Sequence, residues 1–295
     1  MNTYGIYAVG VGASGSIGLI QSQNLNPGIS HILNSGSGDI DAKFGAILSQ
    51  APTASFTTRA VSTALGLIGI DGLALNAEGP LTLYMEKRAQ GGLKTAGSVH
   101  TKAVIDGGIV VPQTLSCSQD ALATISYLVQ AADAAGDATN PLTITESQAL
   151  AGTAHLDEAY TISPVLIGEG EIDGIQSINV DFGIDLVVSK GGGSVFPQEV
   201  AMIKRQPVLT FTTLDAAITA TIAEGGMSLA AGATFQLQAV TKSSVPSGAG
   251  ITIEVGAGIA YATALGGDHQ GNQTFAVTII PTVSGTDAIL VVGTF

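Results

Sequence analysis

The sequence contains no tryptophan, one cysteine and few aromatic residues, and each shortage argues against a class of protein. Because Cys117 is alone, the chain cannot form an intramolecular disulfide or a thiolate cluster around zinc or iron. We expect this cysteine to be a small buried apolar side chain. Aromatic residues make up only 5% of the chain, so it lacks the exposed anchors that a receptor-binding module usually carries.

Long apolar runs are missing as well. Hydrophobic residues make up 45% of the chain, but Gly, Ser, Asp or Gln interrupts every run before the ~20 apolar residues that a spanning helix needs. The N-terminal residues 1–4 have neither the basic region nor the apolar core of a signal peptide. We therefore expect the protein to remain in the cytoplasm in which it is made.

Charged residues are scarce, at 11% of the chain, whereas soluble globular proteins have about 25%. A monomer needs surface charge to stay dispersed, so this scarcity predicts that other subunits cover much of the surface. The net charge of -13 argues against tight binding of phosphate backbones, which requires Lys and Arg. Residues 1–156 hold 10 acidic and 6 basic residues, while 157–295 hold 13 and 4.

The chain contains an internal repeat with a constant shift of 155 residues and no gap. Segment 20–58 matches segment 175–213 at many positions. The identical pairs include Ile20/Ile175, Gln21/Gln176, Ser22/Ser177, Asn24/Asn179, Gly28/Gly183, Ile29/Ile184, Gly36/Gly191, Gly38/Gly193, Ala46/Ala201, Pro52/Pro207 and Phe56-Thr57-Thr58/Phe211-Thr212-Thr213. A match this ordered predicts two domains of one kind, 1–156 and 157–295.

Each copy has the pattern strand, hairpin, strand, helix. Apolar and polar residues alternate over 178–182, and glycines separate the apolar runs 184–188 and 200–203, which indicates a strand followed by a hairpin. Apolar residues at helical spacing then follow in both copies, which predicts a helix in each. Thr58 is the candidate cap of a helix over Ala60–Leu67, and Thr212 or Thr213 is the candidate cap in the second copy.

Short β segments continue behind each predicted helix, while the small and polar stretch 131–140 reads as a loop or linker near the domain boundary. The β segments that we predict are Leu81–Met85, Ile109–Val111, Ala123–Val129, Phe235–Val240, Ile251–Val255, Phe275–Ile280 and Ala288–Val292. The fold class is therefore mainly β, with two tandem sandwich or barrel domains, each flanked by one helix and carrying a long hairpin.

Two strings of the second copy, Gly174–Ile184 (GIQSINVDFGI) and Arg205–Asp215 (RQPVLTFTTLD), and a separate string, Gln113–Ser126 (QTLSCSQDALATIS), carry a resemblance to a known family. They resemble those of the tail tube (major tail) protein family of long-tailed bacteriophages, in a duplicated-domain form. In that family six β-sandwich domains with flanking helices form a ring, and stacked rings form a tube that conducts DNA. Two domains per chain then imply homotrimeric rings, a virion location after assembly in the host cytoplasm, and tape-measure, terminator and distal tail proteins as partners.

The resemblance also implies roles for particular residues. The glycine-tipped hairpins at Gly36-Ser37-Gly38 and Gly191-Gly192-Gly193 would reach a neighbouring subunit or ring, or else be simple surface turns. An acidic lumen wall would repel phosphates and let DNA slide. The candidate lumen acids are Asp39, Asp41 and Glu199, with solvated surface charges as the alternative.

Signals typical of enzymes are weak. The string Gly10–Gly15 has the literal G-x-G-x-x-G spacing of a dinucleotide site, yet residues 16–28 leave no room for the helix such a site requires. Lys190–Ser194 lacks the residue order of a phosphate loop, and the four histidines show no metal-ligand spacing. We expect no enzymatic activity, cofactor or metal. The alternative functions are a capsid decoration protein and a surface-layer or fibre subunit.

Overall fold

A computed structural model describes the chain except at residues 1–2, 14, 39, 89–98, 134, 136–138, 150–158, 169, 216–221, 223–224, 231, 241–245, 267–272, 284–288 and 295. The described residues form several antiparallel sheets and two short helices, so the protein is mainly β, as its alternating apolar pattern predicts. None of the described helices is long and apolar enough to cross a membrane.

The elements of the first half lie before residue 150. They are β1 (Thr3–Val11), β2 (Gly15–Ile17), β3 (Ile20–Asn26), β4 (Ile29–Asn34), β5 (Phe44–Gln50), β6 (Thr53–Thr58), α1 (Val61–Ile68), β7 (Leu73–Ala74), α2 (Leu75–Glu78), β8 (Leu81–Arg88), β9 (His100–Ile105), β10 (Gly108–Ser118), β11 (Thr124–Ala131) and β12 (Leu142–Gln148).

The second half supplies a further series of strands. They are β13 (Tyr160–Ile167), β14 (Gly170–Ile172), β15 (Ile175–Asp181), β16 (Ile184–Ser189), β17 (Glu199–Arg205), β18 (Val208–Thr213), β19 (Met227–Leu229), β20 (Ala233–Val240), β21 (Pro246–Val255), β22 (Gly258–Gly266), β23 (Thr274–Pro281) and β24 (Val291–Thr294).

Ten strands form one large sheet in the order β19-β22-β23-β18-β15-β10-β11-β6-β3, with β7 also paired to β10. Two five-stranded sheets, β12-β9-β8-β1-β2 and β14-β13-β20-β21-β24, accompany it. The pairs β4-β5 and β16-β17 are separate hairpins. Buried side chains of the large sheet pack against those of the smaller sheets. Phe211 on β18, for example, meets Phe235 on β20 at a centroid distance of 5.9 Å.

The strand pairings of the first half recur in the second. The order β12-β9-β8-β1-β2 corresponds to β24-β21-β20-β13-β14, and β10-β11-β6-β3 corresponds to β22-β23-β18-β15. The bounds of β2 to β6 reappear in β14 to β18 with the same shift that relates the repeated sequences. Identical sequence positions therefore occupy identical places in the hydrogen-bonding pattern.

Side-chain hydrogen bonds recur with the pairings. The Thr58 hydroxyl donates to the Gly18 carbonyl at 2.7 Å and accepts the Ala60 amide at 3.0 Å. The Thr213 hydroxyl likewise donates to the Asp173 carbonyl at 2.6 Å and accepts the Asp215 amide at 3.0 Å. Each threonine thereby ties a strand end to the turn that precedes the neighbouring strand.

The first predicted helix is present as α1, but its predicted cap is wrong. Its N-cap residue is Ala60, and no side chain caps it. Thr58 cannot cap the helix, because it is the last residue of β6 and its hydroxyl is committed to Gly18 and Ala60. Most residues of the predicted second helix lie outside the described part of the chain. Ile222 is described, and it is helical and 1% exposed.

Two further sequence features are placed by the strands. The glycine string Gly10–Gly15 spans the turn between β1 and β2, where Val11 pairs with Gly15, and a strand follows it rather than a helix. The stretch 131–140, which we predicted to be a loop or linker, joins β11 to β12 in the first half. The boundary at residue 156 lies outside the described residues.

Candidate functional site

The large sheet is almost free of charge. Across its ten strands as the structure describes them, Asp181 at the end of β15 is the one charged residue. The five-stranded sheets differ, since β8 alone carries Glu86, Lys87 and Arg88. Charged residues are therefore scarcest in the large sheet.

In the central strands β6, β10, β15 and β18, the face that points away from the core is lined by hydroxyl and amide side chains. Alternate residues of these strands are buried, which leaves Ser, Thr and Asn on the other side, whereas β22 and β23 expose Ile259, Tyr261 and Ile280. Cross-strand neighbours bond to one another: Thr114 to Ser126 at 2.7 Å and Ser177 to Thr212 at 2.7 Å. Such pairs satisfy neighbouring hydroxyls within the sheet. Since its strands carry no Lys or Arg, the sheet offers no cation to hold a phosphate.

The two halves of the chain join within this sheet. The last five residues of β10, Thr114 to Ser118, pair antiparallel with β15, with Thr114 opposite Asp181 and Ser118 opposite Ser177. The Gln119 amide extends the junction by donating to the Gln176 carbonyl at 2.7 Å. The contact between the halves is thus a continuous β-sheet.

The sheet has two ends at which the described residues supply no further strand. At one end β3 pairs with β6 on one side alone. At the other end β22 pairs with the short strand β19 over Gly258–Ala260, so residues 261–266 have no strand on that side. Backbone N–H and C=O groups along such edges can pair with a strand from another molecule.

The glycines that we predicted to tip the long hairpins lie where expected. Gly36, Ser37 and Gly38 follow β4, and Gly38 has a φ of 89°. Gly191, Gly192 and Gly193 connect β16 to β17, and the last two have φ of 60° and 76°. Positive φ at these positions favours glycine because it has no Cβ.

The two predicted lumen acids that the structure describes, Asp41 and Glu199, lie on the hairpins rather than on the large sheet. Asp41 is exposed in the connection between β4 and β5, and Glu199 is exposed at the start of β17. Asp39 lies outside the described residues. The acid that the sheet does carry is Asp181, which we did not single out from the sequence.

The β4-β5 hairpin is apolar and exposed. Its exposed large side chains are Ile29, Ile32, Leu33, Ile40, Phe44, Ile47 and Leu48. In the second hairpin, by contrast, Leu186 and Met202 pack against the core, and the connection that leads into β17 is bonded to the first half. An exposed apolar patch of this kind is typical of a surface that binds protein.

The second hairpin is held against the first half at three points. The Asp133 amide donates to the Pro197 carbonyl at 2.7 Å, and the Gln50 amide donates to the Val195 carbonyl at 2.9 Å. Arg205 also forms an ion pair with Asp71. The hairpin of one half therefore lies on the other half.

The described residues bring few reactive side chains into the groove between the halves. This groove, of about 350 Å³, is lined by Gln119, Ser163 and Asp173 among others, and no described His, Cys, Lys or Glu lines it. Burial raises the pKa of the Cys117 thiol to about 11, which keeps it protonated and unreactive near neutral pH. No three His, Cys, Asp or Glu side chains in the described part of the chain are placed to hold a metal ion.

A search of protein-family models found none that matches the chain, and a search of curated proteins found no significant match.

Proposed function

We propose that the chain is a structural subunit that polymerises into stacked rings, as the tail tube protein of a long-tailed bacteriophage does. The observation that carries this proposal is the ten-stranded, nearly uncharged sheet, in which the described residues leave an unpaired edge at each end. Pairing with the edge of another sheet would satisfy the backbone groups of both edges. The scarcity of charged residues, 11% of the chain, and the exposed apolar hairpin agree with a subunit that is covered on assembly.

We further propose that the chain is a duplication of one tail-tube domain, a β-sandwich with one flanking helix and one long hairpin. The recurrence of strand order, strand bounds and threonine hydrogen bonds supports this view, because unrelated sheets would not repeat such details at the same sequence positions. The join between β10 and β15 gives the two copies a fixed mutual arrangement.

Rings of three chains then contain six domains, and the large sheets line the lumen. The hydroxyl face suits a DNA conduit, since it offers no cation to retain phosphates and its one acid, Asp181, repels them. Tape-measure, terminator and distal tail proteins would start and end the tube. DNA would pass through without specific binding.

Sedimentation velocity and negative-stain microscopy of the purified protein test this function. We expect rings or hollow tubes to form as protein concentration or salt rises, because high salt screens the repulsion between acidic subunits. Fibres without a lumen would favour a surface or fibre subunit. A strictly monodisperse monomer under every condition would contradict the proposal.

A further inference from the structure

We propose that the junction between the two halves of one chain is repeated between chains, so that β22 of one chain pairs antiparallel with β3 of the next. This inference rests on the proposed function, because it names the surfaces through which the subunits meet. It also predicts a register for the pairing, which the internal junction provides.

The internal junction is the template. On β10, a bulge after Pro112 precedes Thr114, which pairs with Ser126 on one side and with Asp181 on the other. The start of the same strand is covered by the short strand β7, at Ile109 and Val110. Strand β10 thus offers a free edge only beyond its first few residues, and β15 occupies that edge.

Strand β22 has a bulge and a short covering strand as β10 does, but no described strand takes the place of β15. A bulge after Ala262 precedes Ala264, which pairs with Ala276 as Thr114 pairs with Ser126. The short strand β19 covers Gly258–Ala260, as β7 covers the start of β10. The edge of β22 that corresponds to the β15-binding edge of β10 is unoccupied by any described strand.

Strand β3 is the counterpart of β15, and the shift of the repeat places Asn26 where Asp181 lies. The template therefore predicts that Ala264 of one chain pairs with Asn26 of the next. Leu265 then lies opposite Leu25, and Gly266 opposite Asn24.

The register across the sheet is compatible with closure into a barrel. Following paired residues from Ser22 through Thr57, Ser126 and Thr114 leads to Asp181. The counterpart of Ser22 in the second copy is Ser177, and Asp181 lies four positions beyond it. Each half therefore advances the register by four residues over four long strands.

That stagger sets the tilt of the strands. A rise near 3.4 Å per residue and a spacing near 4.8 Å between strands give a tilt of roughly 35°, within the range of closed β-barrels. Six halves with this tilt enclose a barrel roughly 45 Å across between backbones. The predicted register therefore closes the sheet without flattening it and leaves a lumen wider than a DNA double helix.

The exposure of side chains beside the junction agrees with a repeated contact. Ile109 is half-buried beside the second hairpin, in a groove that Gln198 and Val200 help to line. Its counterpart on β22, Ile259, is 53% exposed. The surface around Ile259 and the β4-β5 hairpin that would cover it are therefore both exposed in the single chain.

One pair of hairpin positions shows the same contrast. Met202 of the second hairpin packs against the core, whereas its counterpart Ile47 in the β4-β5 hairpin is 55% exposed. Other side chains of the second hairpin, Val187, Val188 and Ile203, are exposed, as are their counterparts in the β4-β5 hairpin. We infer that the β4-β5 hairpin lies on the second half of the next chain, as the β16-β17 hairpin lies on the first half of its own.

The contact between chains lacks two features of the contact within a chain. Pro27 stands at the counterpart of Phe182, whose amide donates to the Gln113 carbonyl, and proline has no amide hydrogen. The Asp71–Arg205 ion pair has Gly225 and Gln50 at the corresponding positions, since Leu73 of β7 corresponds to Met227 of β19. The junction between chains is thus weaker than the one within them, which suits a subunit that stays soluble until assembly.

Paired cysteines test the register. The variant Asn26→Cys/Ala264→Cys, assembled and then oxidised, should give covalent dimers and trimers on a non-reducing gel, because paired strands bring the two sulfurs within bonding reach. Thr114→Cys/Asp181→Cys is the matched positive control and should form the same bond within one chain. Ser22→Cys/Ala264→Cys moves one cysteine by about 13 Å along β3 and should give at least tenfold less product.

The outcomes separate the register from the function. Tubes that form without the Asn26–Ala264 link, or that link through Ser22 instead, would overturn the register and leave the tube proposal standing. Failure of the wild-type chain to assemble would contradict the tube proposal itself.

If the paired variant does not assemble, hydrogen exchange on the wild-type protein decides the matter. Amides of 20–26 and 261–266 should become at least tenfold better protected in the assembled form than in the free subunit. Unchanged exchange in both segments would overturn the pairing.

Discussion

At the scale of single residues, two glycines determine how β3 turns into the β4-β5 hairpin and how β15 turns into the β16-β17 hairpin. Gly28 and Gly183 have φ of 62° and 56°, and each follows an Asx turn in which the side chain of Asn26 or Asp181 accepts the glycine amide. A Cβ would lie 1.9 Å from the Ala51 carbonyl oxygen at Gly28, and 2.0 Å from the corresponding backbone oxygen at Gly183. Only glycine satisfies both the dihedral and the space.

Gly183→Ala should therefore lower the free energy of unfolding by about 2–4 kcal/mol, through the strained φ and the backbone clash together. The matched control is Gly66→Ala, in the exposed interior of α1, where a Cβ meets nothing within 4 Å. This control should raise the free energy of unfolding by about 0.5–1 kcal/mol. Urea denaturation of the free subunit measures both, and equal effects would contradict the assigned turn.

At the scale of elements, the β4-β5 hairpin is the part of the chain that gains most from a partner. Phe44 and Leu48 are 60% and 56% exposed, so they contribute little to the stability of the single chain. Phe44→Asp/Leu48→Asp should leave the melting temperature within a few degrees of wild type and abolish ring and tube formation, as seen by sedimentation. Phe44→Leu/Leu48→Met keeps the surface apolar and should assemble normally. Assembly of the aspartate variant would show that the hairpin is dispensable.

The sequence was sufficient to predict most elements but not all their boundaries or roles. Alternation and glycine turns located β15 to β18 and their counterparts, because both signals are local. The cap at Thr58 was wrong since its hydroxyl bonds to Gly18, 40 residues earlier, which no local pattern reveals. The uncharged face and Asp181 were missed for the same reason, as charge-free strands lie far apart in sequence and meet only in the sheet.

At the scale of the whole molecule, the described residues form a sheet that is continuous inside and unpaired at both ends. Its register advances uniformly, its outward face carries no charge apart from Asp181, and the apolar β4-β5 hairpin is exposed. These properties describe a segment of a closed wall more readily than a complete globule.

A cryo-electron microscopy map of the assembled protein tests this central claim most directly. We predict rings of three chains whose large sheets join edge to edge, β22 to β3, with the Ser, Thr and Asn side chains facing the lumen. An assembly in which that face points outward, or in which the large sheets do not touch, would contradict it.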